Sequence, residues 1–205
     1  MRNLLLQNKI LILGIGNYLM GDEGVGVHVA NRLQKEKLPG VDIVDGGTGG
    51  FHLLGYFEDY ETIILVDATL DNNPNGTIRL IKPRFAEDFP KAMSTHDIGL
   101  RDLVCALQLL GKMPTIHLFV VSIESLQQQG IELTDEIEKV IPELIVKIKD
   151  LLFVLQKEAG NIDDVNGDLP DWQKQIIDQR LQAIAGDPNR LRPIEELFEE
   201  LDNEK

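Results

Sequence analysis

Five short apolar runs rich in Val, Ile and Leu mark the chain, at residues 9–15, 41–44, 62–66, 77–81 and 116–121. Each is mostly uninterrupted rather than alternating, as strands covered on both faces tend to be. Between several of them the apolar positions recur at three- and four-residue spacing, which predicts helices over 25–36, 52–57, 98–110 and 133–155. Strands alternating with helices predict an α/β fold of three layers, a twisted, mostly parallel five-stranded sheet with helices on both faces. The segment Asp71-Asn72-Asn73-Pro74-Asn75-Gly76 is a turn by composition. A hairpin between the third and fourth strands, and with it a mixed sheet, is therefore expected.

The polar punctuation falls where the strands end, and open α/β sheets bind ligands beyond the carboxyl ends of their strands. The first strand runs into Gly14-Ile15-Gly16-Asn17-Tyr18-Leu19-Met20-Gly21-Asp22-Glu23-Gly24-Val25-Gly26. The second ends in Asp45-Gly46-Gly47-Thr48-Gly49-Gly50 and the third in Asp67-Ala68-Thr69. The loop Met93-Ser94-Thr95-His96-Asp97 opens a helix, with Ser94 or Thr95 as its N-cap. This topology can bring Glu23, Asp45, Asp67 and His96 to one rim.

Charge narrows the partners. Thirty-four acids against 20 bases give a formal net charge of −14 over 205 residues, which argues against nucleic acid and anionic membrane. The start of the chain lacks the pattern of a signal peptide, and no run reaches the roughly 20 apolar residues of a membrane span. The single cysteine, Cys105, excludes an internal disulfide and makes the cytoplasm the expected compartment. Lying in Leu103-Val104-Cys105-Ala106-Leu107, it reads as a buried helix residue rather than a nucleophile.

A strand, a glycine-rich turn and a helix usually cradle a phosphate. Here Leu19 stands where the third glycine of a dinucleotide fingerprint packs helix on strand, and Asp22 and Glu23 would repel a pyrophosphate. No nucleotide or organic cofactor is expected. Two carboxylates at a strand end suit a cation instead. Glu23, Asp67 and His96 offer two oxygens and a nitrogen, a set that suits a borderline first-row metal such as nickel or zinc. It is too sparse for a closed structural site and leaves open positions for a metal already held by something else. Against this, an Asp at a strand end often closes a turn, and a lone loop His is often a surface residue. His28 reads as packing or surface, His52 as a residue within reach of the rim, and His117 as a satisfied core or sheet-face histidine. No serine sits in a Gly-x-Ser-x-Gly elbow, so a nucleophilic triad has little support.

The glycine-loop motif, Asp45-Gly46-Gly47-Thr48, Val66-Asp67-Ala68 and Ser94-Thr95-His96-Asp97-Ile98-Gly99-Leu100 together resemble the [NiFe]-hydrogenase maturation endopeptidases, in the family's order and over roughly residues 9 to 156. The resemblance implies the same three-layer fold. It also implies removal of a short C-terminal extension from the hydrogenase large-subunit precursor once nickel has been inserted. It assigns metal contact to Glu23, Asp67 and His96, with the nickel supplied by the substrate. Asp45, Gly46, Gly47 and Thr48 fall to substrate recognition, and Asp45, Glu23 and Asp67 to cleavage. The family implies a monomer that pairs transiently with its substrate. A nickel-centre chaperone that reads the same metal without cutting, and a nucleotide-binding α/β protein, are the rival readings.

Residues 1–160 are expected to form the peptidase-like domain. Residues 161–205 change character, with 12 Asp and Glu against 5 Lys and Arg, a net of −7. They read as an acidic linker and a helical appendage, in which Trp172, Ile176, Ile177 and Leu181 recur at roughly helical spacing.

Overall fold

The computed structural model describes residues 9–90, 97–124 and 129–159. The reading of residues 161–205 and of the Ser94–Thr95 cap lies outside them. Among the described residues five strands form one sheet: β1 (Ile10–Gly14), β2 (Val41–Asp45), β3 (Thr62–Thr69), β4 (Ile78–Ile81) and β5 (Thr115–Ser122). Four α-helices of the described residues accompany them: α1 (Val25–Gln34), α2 (Leu54–Asp59), α3 (Asp97–Leu110) and α4 (Asp135–Glu158). The strand order is β2-β1-β3-β5-β4, parallel throughout except that β4 runs antiparallel to β5. The sheet is mixed, as expected, but the predicted hairpin does not form. β4 lies against β5, with Ile78 opposite Val121 and Ile81 opposite Leu118.

Burial explains the displacement. Seven of the eight β3 residues are buried, and both edges of β3 are taken, by β1 and by β5. All four residues of β4 are only half buried, which suits the edge of the sheet. The turn at residues 71–76 thus carries the chain past β5 instead of back along β3.

Two apolar layers sandwich the sheet. On one face Leu11, Leu13, Ile63, Leu65, Leu118 and Val120 pack with Leu53 and Phe57 before and within α2, and with Leu100, Leu103, Val104 and Leu107 of α3. On the other lies α1, which buries Val25, Val29, Ala30 and Leu33 and packs against α4. Each such Val or Leu contributes about 1.5–3 kcal/mol when withdrawn from water. The α3 stripe at 100, 103, 104 and 107 follows helical spacing and leaves the neighbouring Cys105 exposed. The expectation of a buried cysteine is corrected accordingly. Helix α4 starts at Thr134, whose side chain accepts the Ile137 N–H at 3.4 Å, and carries Asp135, Glu136 and Glu138 in its first turn. Among the described residues no helix is long and apolar enough to cross a membrane.

Candidate functional site

The order β2-β1-β3 makes the gap between β1 and β3 the switch point of the sheet: the chain leaves β1 toward β2 on one side and returns to β3 on the other. Crevices of this kind are where α/β sheets bind ligands. At their carboxyl ends Gly14 lies between Asp45 of β2 and Val66 of β3. The strand register therefore brings Asp45 and the approach to Asp67 to either side of the glycine loop.

Close backbone contact shapes that loop. A Cβ on Gly26 would lie 2.1 Å from the Val66 carbonyl oxygen and 2.2 Å from that of Ile15, so the first turn of α1 rests directly on the strand ends. Gly16, at φ +142°, leaves no room either, since a Cβ there would come within 2.0 Å of the Glu23 carbonyl oxygen. The Ile15 N–H donates to the Val66 carbonyl at 2.8 Å and the Gly16 N–H to the Gly47 carbonyl at 2.8 Å. The glycines thus serve packing of turn on sheet, where a phosphate loop would present free N–H donors.

The result is a short 3-10 turn, Gly21–Gly24, packed against β3 with both of its acids buried, Asp22 at 3% and Glu23 at 1% exposure. Asp67 is buried to the same degree, and its Oδ1 accepts the Ala68 N–H at 2.7 Å. Buried carboxylates are rare without a structural or chemical use. The two acids of the turn have different fates. Both oxygens of Asp22 accept hydrogen bonds from Thr134, Oδ1 from its N–H at 2.7 Å and Oδ2 from its hydroxyl at 2.9 Å. Asp22 thus fastens the turn to the start of α4.

Asp45 is exposed, and its Oδ1 accepts the Gly47 N–H at 2.8 Å, closing the Asp45-Gly46-Gly47-Thr48 turn. His52 reaches this loop, with its Nε2 3.3 Å from the Gly46 carbonyl. His28 stacks on Tyr18, ring centroids 4.8 Å apart, and burial followed by the nearby Arg32 lowers its pKa. His117 is buried on β5, and neither ring nitrogen has a hydrogen-bond partner among the described residues, so it is a core histidine but not a satisfied one. Burial and then the charge of Lys82 lower its pKa to about 4. His96 lies outside the described residues, among which no group of three His, Cys, Asp or Glu is placed to hold a metal ion. Large apolar side chains are exposed around the loop, Tyr18, Leu19 and Phe51, together with Ile131, whose neighbour Gly130 pairs with Met20.

Sequence reasoning missed the Asp22–Thr134 contact. Thr134 before a run of acids was readable as a helix cap; its partner 112 residues upstream was not.

A family model described as hydrogenase maturation protease (HycI) matches residues 27–151, a span that holds Asp45, Asp67 and His96 and begins just after Glu23. The chain is 37% identical over 125 residues to the hydrogenase expression/formation protein HupD of Bradyrhizobium diazoefficiens, covering 58% of this chain and 64% of that protein, just short of two thirds. It is 35% identical over 137 residues to the hydrogenase 2 maturation protease of Escherichia coli, covering 65% and 84%. Among solved structures, the hydrogenase maturating endopeptidase HybD from E. coli superposes with a TM-score of 0.64 at 32% identity, covering 74% of this chain and 94% of that one. The [NiFe] hydrogenase maturation protease HycI from Thermococcus kodakarensis KOD1 gives 0.58 at 27% identity, covering 71% and 92%.

Proposed function

The chain belongs to the hydrogenase maturation protease family, and from that premise we propose that it removes the C-terminal extension of a nickel-loaded [NiFe]-hydrogenase large-subunit precursor. The observation that carries this reading is the placement of two buried carboxylates, Glu23 and Asp67, on elements that meet at the β1–β3 switch point. Hard oxygen donors withdrawn from the surface suit a cation, and with the nitrogen of His96 they would form an open set for a borderline metal.

On this reading the nickel already seated in the precursor is the handle. Glu23, Asp67 and His96 fill its open coordination positions, and that docking lays the scissile peptide along the rim. The exposed Asp45 carboxylate, anchored through the Gly47 N–H, lies on the same rim to orient the peptide or the attacking water. Cleavage then draws on polarisation of the peptide carbonyl by the metal or activation of water by a carboxylate. The Asp45–Thr48 turn contributes to substrate recognition. Tyr18, Leu19 and Ile131, exposed by 40%, 62% and 51%, give the rim an apolar border of the kind that meets a folded protein. The protein acts in the cytoplasm as a monomer that pairs transiently with its precursor.

The test is the intact mass of a nickel-loaded precursor and of its apo form, before and after incubation with this protein. Loss of a short C-terminal peptide from the loaded form alone is the expected result. Equal cutting of both forms removes nickel as the handle. Binding of the loaded form without cutting transfers the reading to a chaperone of the nickel centre.

A further inference from the structure

Glu23 is held from both sides. Its carbonyl oxygen presses on Gly16, where a Cβ would come within 2.0 Å. On its other side Asp22 is tied to Thr134 by two hydrogen bonds, at 2.7 and 2.9 Å. The Thr134 hydroxyl donates to Asp22 Oδ2 while its oxygen accepts the Ile137 N–H at 3.4 Å, so one hydroxyl both fastens the turn and caps α4. The segment leading to Thr134 is fixed to the same loop. The Gly21 N–H donates to the Gly130 carbonyl and the Gly130 N–H to the Leu19 carbonyl, both at 2.8 Å. One turn further into α4, Glu138 pairs with Arg32 of α1 at 2.7 Å. Asp22 is only 3% exposed, and a hydrogen bond withdrawn from solvent is electrostatically stronger than one at the surface.

We propose that Asp22 is a positioning residue, which with Thr134 forms a clasp that fixes the Gly21–Gly24 turn and thereby aims Glu23 at the rim. The start of α4 thus belongs to the support of the site. The kinetic part of this inference rests on the peptidase reading; its structural part does not.

The experiment has two arms. Amide hydrogen exchange is followed in the full chain, in Asp22→Asn, in Thr134→Val and in Thr134→Ser. Asp22→Asn leaves Thr134 free to cap α4 and weakens only the clasp. Exchange over residues 21–24 is expected to quicken about tenfold in Asp22→Asn and Thr134→Val. Exchange in β1 and β3 should hold, and Thr134→Ser should match the parent protein. Unchanged exchange over residues 21–24 overturns the clasp, as does quickening spread evenly over the sheet. In the second arm, kcat/KM on nickel-loaded precursor is expected to fall about tenfold in Thr134→Val and to recover in Thr134→Ser. On a Glu23→Gln background Thr134→Val should cost nothing further, since residues acting through one another are not additive. Multiplying effects would show that the clasp does not act through Glu23. If the parent protein cuts no precursor, the peptidase reading falls while the exchange arm still decides the clasp.

Discussion

Gly26 and Val66 meet where no side chain can stand: a Cβ on Gly26 would lie 2.1 Å from the Val66 carbonyl oxygen. The contact sets α1, and the turn that precedes it, directly on the strand that ends in Asp67. Gly26→Ala must push helix from sheet. Overpacking of this kind costs about 3 kcal/mol, a fall of roughly 10 °C in Tm for a domain of this size. Thermal unfolding of the variant checks it, and a Tm within about 2 °C of the parent would show that the helix can slide without loss.

Glu23→Gln keeps the shape of a buried side chain and replaces its carboxyl group by an amide. Stability is expected to change little, and processing of nickel-loaded precursor to fall at least about 100-fold, the scale of a lost acid–base or metal contact. Intact mass over time measures it. Parent-like turnover takes Glu23 out of the mechanism.

Asp45→Asn retains an oxygen for the Gly47 N–H, so the turn should survive. Processing should nonetheless drop about tenfold or more if the carboxylate orients peptide or water. A variant with unaltered kinetics would leave Asp45 the smaller role of closing its own turn.

Leu19 is 62% exposed on the border of the rim. Leu19→Asp is expected to leave Tm in place and to weaken binding of the precursor about tenfold, within the range of a contributing interface residue. Titration calorimetry or surface binding with the nickel-loaded precursor reads the shift.

His117 makes the fold sensitive to acid. Its pKa of about 4 lies below the ordinary value of 6.5, so the unfolded chain takes up a proton before the native one does. The native state is therefore penalised as pH falls from about 6.5 toward 4, by about 2 kcal/mol at pH 5. Lys82 adds to the penalty by repelling the imidazolium. His117→Leu, which also removes two ring nitrogens without hydrogen-bond partners among the described residues, should shrink the difference in unfolding free energy between pH 7 and pH 5 by that amount. Denaturant titrations at the two pH values decide it, and an undiminished difference would assign the acid sensitivity to other groups.

The strands were legible as short unbroken apolar runs and the helices by their period, down to Leu100, Leu103, Val104 and Leu107 on α3. The placement of β4 was not. Its local turn chemistry favours a hairpin, whereas the sheet is decided by which strand buries both faces, and that competition involves β5, some 35 residues further on. Glu23, Asp45 and Asp67 could be placed at strand ends from the sequence, because strand ends are where polar residues interrupt apolar runs. The division of labour between Asp22 and Glu23 could not, since it depends on Thr134, a residue remote in the chain. Cys105 misled because its apolar neighbours in the sequence lie on a different side of the helix.

Parallel strands cannot pair through a tight turn, and the β1–β3 seam joins Ile10 to Thr62 across the whole of α1, β2 and α2. Closing so long a loop costs chain entropy before any contact rewards it, which slows folding. A chain that ends before β3 has the glycine loop but lacks the Val66 carbonyl on which Gly26 and the first turn of α1 rest. The rim that holds Glu23, Asp45 and Asp67 is therefore a late product of assembly, complete only when β3 has paired with β1, however early its glycine loop is made.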